Sequence, residues 1–205
     1  SGSVHALNEH SNRGKRSIGV DIATPGGRAV IYALAKTADV FLTNKLPHQL
    51  RKLEIDVEHV RAHNPRIVYV RGTAFGSRGP DAEKGGYDMT AFWCRGGSAD
   101  GIVPDELDGV LSQPGPAYGD SIGAMTIAGG ISAALLRRER TGEAPVVDVS
   151  LYATGMWAMS AGIALSLVQG EPWKTRFTRN GALQNPLSGT YRTADDRYVS
   201  LVLSL

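Results

Sequence analysis

Asp120 is the only carboxylate in residues 115–125, GPAYGDSIGAM, and it precedes a run of small and apolar residues. Three kinds of chemistry fit this stretch. An Asp at the start of a helix commonly accepts hydrogen bonds from the first backbone N–H groups and so caps the helix. A carboxylate is also a nucleophile that needs no general base, because its reference pKa of about 3.9 keeps it ionised at neutral pH. Finally, residues 119–123 fit the pattern G-x-S-x-G, which would make Ser121 the nucleophile.

The surroundings of Ser121 argue against a serine hydrolase. A nucleophile elbow needs a strand that runs directly into the serine and a His base from later in the chain. The residues before it, SQPGPAY, contain prolines and do not form a central strand. All five histidines precede Ser121. The residues alone do not decide between a capping and a nucleophilic role for Asp120, although the neighbouring glycines leave room for a ligand beside the carboxylate.

Other common kinds of site lack their sequence patterns. His59 and His63 are spaced to share one helix face, but no third ligand or general base accompanies them, and an exposed pair near a helix end is expected. The loop GTAFGSRG does not have the G-x-G-x-x-G spacing of a dinucleotide site, and there is no Walker A sequence. Cys94 is the only cysteine, which excludes a disulfide framework and a cysteine-based zinc site. We therefore predict no metal.

The composition is that of a folded soluble protein. The 205 residues are 42% hydrophobic and 20% charged, with a formal net charge of +2. A charge this near zero does not predict nucleic-acid or membrane binding, and the basic cluster Arg137-Arg138-Arg140 is expected on a solvated face or helix end. Residues 1–17 lack the apolar core of a signal peptide, which together with the single cysteine predicts a cytoplasmic protein. The apolar run 122–136 is too short for a bilayer span and predicts a buried helix.

Hydrophobic periodicity and turn residues predict alternating strands and helices. Strands are predicted at 16–22, 39–44, 66–72 and 145–150, and helices at 24–38, 46–64 (one or two), 89–97, 120–140 and 151–169. Thr24 is predicted to cap its helix, with Pro25 at the first helical position. A hairpin is predicted over 189–205, with its turn at Asp195 and Asp196. The alternation predicts an α/β fold with a Rossmann-like parallel sheet and flanking helices.

Glycines mark two further positions. The loop 72–88 is rich in Gly and Pro and leaves the C-terminal end of a predicted strand, which is where open α/β sheets bind ligands. Gly129 and Gly130 lie inside a helical pattern, where each glycine costs stability, and they therefore predict that another backbone comes close there.

Four stretches occur in an order that resembles the family III CoA-transferases. They are NRGKRSIGVDIATPGGRAVIYALAKTADVFLTN, LRKLEIDVEHVRAHNPRIVYV, GTAFGSRGP followed by KGGYDM, and YGDSIGAMTIAGGISAALLRRERTG. The resemblance covers nearly the whole chain, and this CaiB/BaiF family includes formyl-CoA transferase and the L-carnitine and bile-acid CoA-transferases. It implies a large Rossmann-like domain over residues 1–180 without its N-terminal strand, and over 181–205 a linker and the truncated start of a smaller second domain. The family's dimers are interlocked, so a homodimer is expected.

The resemblance also implies a reaction. Asp120 matches the family's catalytic aspartate, whose carboxylate attacks the carbonyl of an acyl-CoA and forms a mixed anhydride. The CoA thiolate then returns to form an aspartyl-CoA thioester, from which an incoming carboxylic acid takes the CoA through a second anhydride. The implied partners are thus an acyl-CoA, which carries coenzyme A, and an acceptor acid. The tetrahedral oxyanion needs backbone N–H donors, for which Gly119 and the start of the following helix are candidates.

Residues that match the family's CoA-contacting segments are expected to bind the coenzyme. They are Val20, Asp21, Ile22 and Ala23 near the adenosine, Asn44, Lys45 and Leu46 in the next segment, Lys52 as a phosphate partner, and Gly85, Gly86, Tyr87 and Asp88 over the pantetheine arm. Lys52 stands where the family often has Arg, and a lysine would serve as a point charge rather than a fork. The family's glycine-rich lid matches the region 180–189, NGALQNPLSG, which lacks a glycine run.

Two other functions stay open. The α-methylacyl-CoA racemases belong to the same superfamily, but their catalytic histidine occupies the Tyr87 position, in GHD where this chain has GYD. A tyrosine, with a reference pKa of about 10, is a poor base for an α-proton at neutral pH, which favours the transferase. The remaining alternative is a catalytically idle CoA-binding protein, against which the presence of Asp120 argues. The residues name neither the acyl donor nor the acceptor acid.

Overall fold

A computed structural model describes residues 5–175, 181–182 and 187–202. The α-helices in these ranges are α1 (Ala6–Asn12), α2 (Pro25–Ala35), α3 (Pro47–Lys52), α4 (Val57–His63), α5 (Ser98–Gly101), α6 (Tyr118–Thr141), α7 (Leu151–Ala158) and α8 (Ser160–Gln169), and a π-helix spans Met89–Cys94. The strands are β1 (Val40–Thr43), β2 (Val68–Thr73), β3 (Val146–Ser150), β4 (Gly181–Ala182), β5 (Ser188–Arg192) and β6 (Tyr198–Val202). The predicted α/β class, with a parallel sheet and flanking helices, is confirmed.

The parallel sheet has the order β1-β2-β3, with β2 in the centre. Because successive side chains of a strand point to opposite faces, β2 feeds two separate hydrophobic clusters. Tyr69 packs with α2, α3 and α4 on one face, whereas Val68 and Val70 pack with Ala134 of α6 on the other. The side chains of Val68, Tyr69 and Val70 are all 0% exposed, as expected for a strand covered on both faces.

Helix α2 starts as its residues predict. The side-chain oxygen of Thr24 accepts a hydrogen bond from the backbone N–H of Gly27 at 3.1 Å, and Pro25 occupies the first helical position. The prediction of a strand over 16–22 is wrong. This segment contains no strand, and it ends in a turn in which the Asp21 carboxylate accepts a hydrogen bond from the backbone N–H of Ala23. A strand needs a paired neighbour for its backbone groups, and within the described residues the sheet ends at β1 on this side.

Helix α6 extends beyond the predicted bounds and runs over 24 residues. By length and composition alone it would qualify as a membrane-spanning helix, as would α7 and α8 together, which bend by 63° at their junction. The prediction that the apolar run forms a buried helix is wrong, because only a small part of α6 is buried. One face of α6 packs on β2 and β3, but Met125 and Leu136 are 74% and 53% exposed.

The prediction that another backbone comes close to Gly129 and Gly130 in α6 is wrong. A β-carbon on Gly129 would meet nothing within 4 Å, and one on Gly130 would meet the Val147 side chain at 2.8 Å, so no backbone approaches there. The close backbone approach lies instead between Gly96 and Gly155, where an added β-carbon on Gly96 would stand 2.8 Å from the Cα of Gly155.

The cluster Arg137-Arg138-Arg140 lies at the end of α6, as predicted, but it is not entirely solvated. Arg138 is 8% exposed, and its guanidinium donates to a carboxylate oxygen of Asp39 at 2.7 Å and to the carbonyl of Arg66 at 3.1 Å. Asp39 directly precedes β1, and Arg66 lies just ahead of β2. Arg138 therefore ties the start of both strands to α6.

A second, antiparallel sheet has the order β4-β5-β6. Strands β5 and β6 form the predicted hairpin, with Arg192 paired to Tyr198 next to the turn. Asp196 has a φ of 62°, a left-handed conformation that Asp tolerates better than most residues. Half of the segment 180–189, matched above to a lid, lies outside the described residues, namely 180 and 183–186.

Candidate active site

Asp120 does not cap α6. The helix begins at Tyr118, its N-cap is Ala117, and Asp120 is the third helical residue. Ala117 has a φ of 55°, which is uncommon for a residue with a β-carbon, and no side chain caps the first turn. The Ser121 hydroxyl donates to the carbonyl of Ala117 at 2.8 Å, an ordinary hydrogen bond within the helix. The carboxylate of Asp120 is thus exposed, with no hydrogen-bond partner in the described part of the chain.

A cavity of about 430 Å³ contains Asp120. It opens at the C-terminal edge of the parallel sheet, where open α/β sheets bind ligands. Its lining comprises Asn44, Lys45, Leu46, Gly72, Thr73, Ala74, Ala82, Lys84, Gly85, Gly86, Tyr87, Asp120, Gly123, Ala124, Ile127, Val149 and Leu151. The fold thereby brings together three predicted segments, namely 44–46 after β1, 85–87 in the loop after β2, and Asp120 itself.

Two groups of predicted CoA residues lie outside this lining. The segment Val20, Asp21, Ile22 and Ala23 forms the turn that leads into α2, and Ile22 packs against the core cluster around Tyr69. The carbonyl of Asp21 would stand 1.8 Å from a β-carbon on Gly27, so that turn requires glycine in α2. Lys52 is exposed at the end of α3. Contact of these residues with CoA stays a prediction.

The loop between β2 and the π-helix forms one wall of the cavity. A β-carbon on Gly86 would lie 3.0 Å from the β-carbon of Ala74, which keeps this part of the loop close to the strand end. Tyr87 follows with 82% of its surface exposed, and its backbone N–H donates to the Thr90 hydroxyl at 3.0 Å. Lys84 pairs with Asp81 at 2.8 Å, whereas Lys45 makes no ion pair in the described residues.

Asp88 also lies outside the cavity lining, so its contact with CoA stays a prediction. Asp88 is 8% exposed, and one oxygen of its carboxylate accepts from the backbone N–H of Met89 at 2.8 Å while the other accepts from the Gln113 side-chain amide at 2.8 Å. Asp88 packs closely against α6, since a β-carbon added to Gly119 would lie 2.9 Å from the β-carbon of Asp88. Sequence reasoning missed Gln113, which lies in an irregular segment with no motif around it.

The surroundings of Asp120 raise the pKa of its carboxyl group. Although the residue is exposed, partial burial of its carboxyl group makes the larger contribution, because it disfavours the charged form, and the negative charge of Asp88 adds to it. The Asp120 carboxylate therefore holds its proton more strongly than a free aspartate. A more basic carboxylate is also a stronger nucleophile once it is ionised.

The two histidines considered as metal ligands make other contacts. His59 hydrogen bonds with Asp56 at 2.9 Å, and the ring of His63 stacks on Tyr32 with the ring centroids 4.1 Å apart. Within residues 5–175, 181–182 and 187–202 no group of three His, Cys, Asp or Glu side chains is placed to hold a metal ion.

A parallel α/β sheet with an exposed acidic residue in a cavity at its C-terminal edge is the arrangement typical of small-molecule sites in open-sheet proteins. Comparison with known proteins narrows this class. Residues 3–204 match the sequence model of the family described as CoA-transferase family III, and the chain belongs to that family.

Individual relatives agree with this membership. The chain is 27% identical over 195 residues to "(R)-2-hydroxy-4-methylpentanoate CoA-transferase" of Clostridioides difficile, covering 95% of this chain and 47% of that protein. It is 34% identical to "Succinate--glutarate CoA-transferase" of Agrobacterium fabrum, covering 79% and 40%. A solved CaiB/BaiF family protein from Brucella suis superposes with a TM-score of 0.78 at 30% identity, covering 91% of this chain and 48% of that one. The chain spans about half the length of the curated relatives it matches.

Proposed function

We propose that the protein transfers CoA between an acyl-CoA thioester and a carboxylic acid, with Asp120 as the nucleophile. The observation that carries this proposal is the position of Asp120, an exposed carboxylate without a hydrogen-bond partner in the described chain, in the cavity formed by segments 44–46 and 85–87. Family membership supports the same reaction class. The names of the relatives cover hydroxy acids and dicarboxylic acids, so the acceptor is proposed only as a carboxylic acid.

The proposed reaction proceeds through covalent intermediates on Asp120. An oxygen of Asp120 attacks the thioester carbon, the C–S bond breaks, and the CoA thiolate leaves with the electron pair. The thiolate then attacks the Asp120 carbonyl of the mixed anhydride, releases the donor acid as a carboxylate, and leaves an aspartyl-CoA thioester. The acceptor carboxylate attacks the carbonyl of the aspartyl-CoA thioester, displaces the CoA thiolate and forms a second anhydride. The thiolate then attacks the acceptor carbonyl of this anhydride, which forms the new acyl-CoA and releases the Asp120 carboxylate. No proton has to be removed from the nucleophile, which fits a site without a histidine in its lining.

The proposal includes the assembly and location of the protein. We expect an interlocked homodimer, a large domain over 1–180, the start of a smaller domain over 181–205, and a cytoplasmic protein. The apolar surface of α7 and α8 supports an assembly, because Trp157 and Leu167 line one apolar groove and are 79% and 81% exposed. Large exposed apolar side chains that lie together generally mark an interaction surface.

A trapping experiment tests the covalent step. The full-length protein is incubated with a panel of acyl-CoA thioesters and hydroxylamine, and peptides are analysed by mass spectrometry. A hydroxamate on Asp120 is the expected result, because hydroxylamine intercepts both the anhydride and the aspartyl-CoA thioester. Asp108→Asn serves as the control variant, since Asp108 lies outside the cavity lining, and it should be trapped at Asp120 as fully as the parent.

Two other outcomes correspond to the alternative functions. No hydroxamate with any acyl-CoA, together with measurable CoA binding, would identify an idle CoA-binding protein. Deuterium incorporation from solvent at the substrate α-carbon, without exchange of CoA between acids, would identify a racemase. Either result would overturn the transferase.

A further inference from the structure

We propose that Asp88 and Gln113 are positioning residues that hold a fixed negative charge behind Asp120 and thereby increase its nucleophilicity. This inference rests on the proposed function and adds a role for residues that do not line the cavity. Asp88 was expected to contact CoA, but its carboxylate is directed to Met89 and Gln113 instead. It would act through Asp120 and not on the substrate.

The environment of Asp88 is unusual for a carboxylate. Its residue is 8% exposed, and no Lys or Arg in the described residues forms an ion pair with it. A buried charge without a countercharge costs free energy unless hydrogen bonds compensate it. The backbone N–H of Met89 and the amide of Gln113 supply those hydrogen bonds, each at 2.8 Å. Gln113 therefore keeps the charge in place.

Because Gly119 has no side chain, Asp88 packs against α6 at the residue that precedes the nucleophile. A β-carbon there would lie 2.9 Å from that of Asp88 and 2.7 Å from Cγ of Phe92, so any larger residue would separate α6 from the π-helix. Asp120 is the next residue along α6, and the Asp88 charge contributes to its altered affinity for protons.

Other charged and titratable groups face Asp120 from the remaining walls. Lys45 lies after β1, and Lys84 and Tyr87 lie in the loop after β2. Lys84 is already paired with Asp81. The strand end of β3 and the start of α7 contribute Val149 and Leu151, which carry no charge. The negative charge of Asp88 adds to the partial burial that raises the pKa of Asp120.

The orientation of Gln113 allows a test that removes only charge. Its Oε1 atom is buried without a hydrogen-bond partner. In Asp88→Asn the new amide can keep the bond from Met89 through its oxygen and donate through its nitrogen to Gln113 Oε1, once the Gln113 amide turns by half a rotation. The hydrogen bonds survive while the negative charge is lost.

The experiment measures the release of CoA in a single turnover of the full-length protein with acyl-CoA, as a function of pH. At low pH the rate falls because Asp120 becomes protonated, and this fall is the acid limb of the pH profile. For Asp88→Asn we expect the acid limb to move to lower pH, because Asp120 then ionises more readily. We also expect the plateau rate at higher pH to fall several-fold, because nucleophilicity falls with basicity. Glu143→Gln is the matched control. It removes one negative charge just past the other end of α6, which extends about 32 Å from Asp120 to Thr141, and should leave the acid limb in place.

The outcomes separate this inference from the proposed function. A slower Asp88→Asn protein with an unmoved acid limb would show a purely structural role and overturn the inference alone. A parent protein that releases no CoA and yields no hydroxamate would overturn the proposed function and the inference with it. If Asp88→Asn does not fold, Asp88→Ser replaces it, because Ser also accepts from the Met89 N–H, and the same movement of the limb is required.

Discussion

Gly119 and Phe92 are in such close contact that a β-carbon on the glycine would lie 2.7 Å from Cγ of the ring. Phe92 is 1% exposed and belongs to the hydrophobic cluster formed by the π-helix and α5, so the ring has little room to move. The contact joins the first turn of α6, which carries Asp120, to the π-helix that starts after Asp88. Packing in the core and the placement of the nucleophile thus depend on the same glycine.

We predict that Gly119→Ala destabilises the protein and slows the formation of the acylated enzyme. Overpacking of a filled core costs about 1–3 kcal/mol, and the displaced turn would carry Asp120 with it. Gly129→Ala on the same helix is the control. An added β-carbon there meets nothing within 4 Å, and replacing a helical glycine with alanine stabilises by about 0.5–1 kcal/mol. Urea unfolding compares the two variants, and equal stability would contradict the packing argument.

Asp120→Asn is expected to lose transfer activity and to gain stability at neutral pH. We expect CoA exchange to fall by about a thousandfold or more, as for other nucleophile deletions. Because the pKa of Asp120 is raised in the folded state, first by burial and then by Asp88, its ionised form disfavours folding above that pKa.

The stability gain of Asp120→Asn should therefore depend on pH in a defined direction. It is largest where Asp120 is ionised in both states. It decreases as the pH falls through the raised folded-state pKa and vanishes below the unfolded-state pKa, where both states are protonated. Thermal unfolding across this range, with Asp108→Asn as the control, measures it. A variant that is less stable than the parent at neutral pH would contradict the expected sign.

Arg138→Met should lower the free energy of unfolding by about 2 kcal/mol, since it removes charge-assisted hydrogen bonds from a buried site. The loss would leave the carbonyl of Arg66 and the carboxylate of Asp39 without this donor. Arg137→Met is the matched control. Arg137 pairs with Glu143 on the surface, and exposed pairs contribute about 0–1 kcal/mol. Similar midpoints in urea for the two variants would show that burial of Arg138 does not matter.

Lys45→Met is expected to raise the KM for acyl-CoA about tenfold with a smaller effect on kcat, because it removes a charge-assisted contact of about 1.5 kcal/mol. Lys45 lines the cavity with Asp120 and has no ion pair in the described residues. Lys36→Met, at the exposed end of α2, controls for net charge. Steady-state kinetics at two salt concentrations should show weaker salt dependence only for Lys45→Met. An unchanged KM would remove Lys45 from the coenzyme site.

Local patterns predicted the fold where one segment's own residues decide its structure. Thr24 followed by Pro25 specifies the start of α2, and the continuous apolar run Val68, Tyr69 and Val70 specifies a central strand that is buried on both faces. Residues 16–22 carry an equally plausible strand pattern and form none, because a strand also depends on a paired neighbour, which their own pattern cannot supply.

The residues of the candidate site likewise divide into those that the sequence predicted and those that depend on contacts between distant segments. Asp120 and the segments 44–46 and 85–87 were predictable from their resemblance to a known family, and the fold brings them to one cavity. Gln113 was not predictable, because its contact with Asp88 joins residues 25 positions apart in a segment without periodicity. The buried position of Arg138 was missed for a related reason, since a run of arginines is typical of a solvated helix end.

The amino-acid sequence by itself determined the class of the fold, the family, and the identity of the carboxylate on which the proposed chemistry depends. Periodicity, caps and local motifs act over a few residues, and their physical effect is already present in the isolated segment. Only the tertiary structure decided that Asp88 faces inward, that Gly119 lets it approach Asp120, and that Arg138 anchors two strands. These features arise from burial and from charges on distant segments, which exert their effect only after the chain has packed.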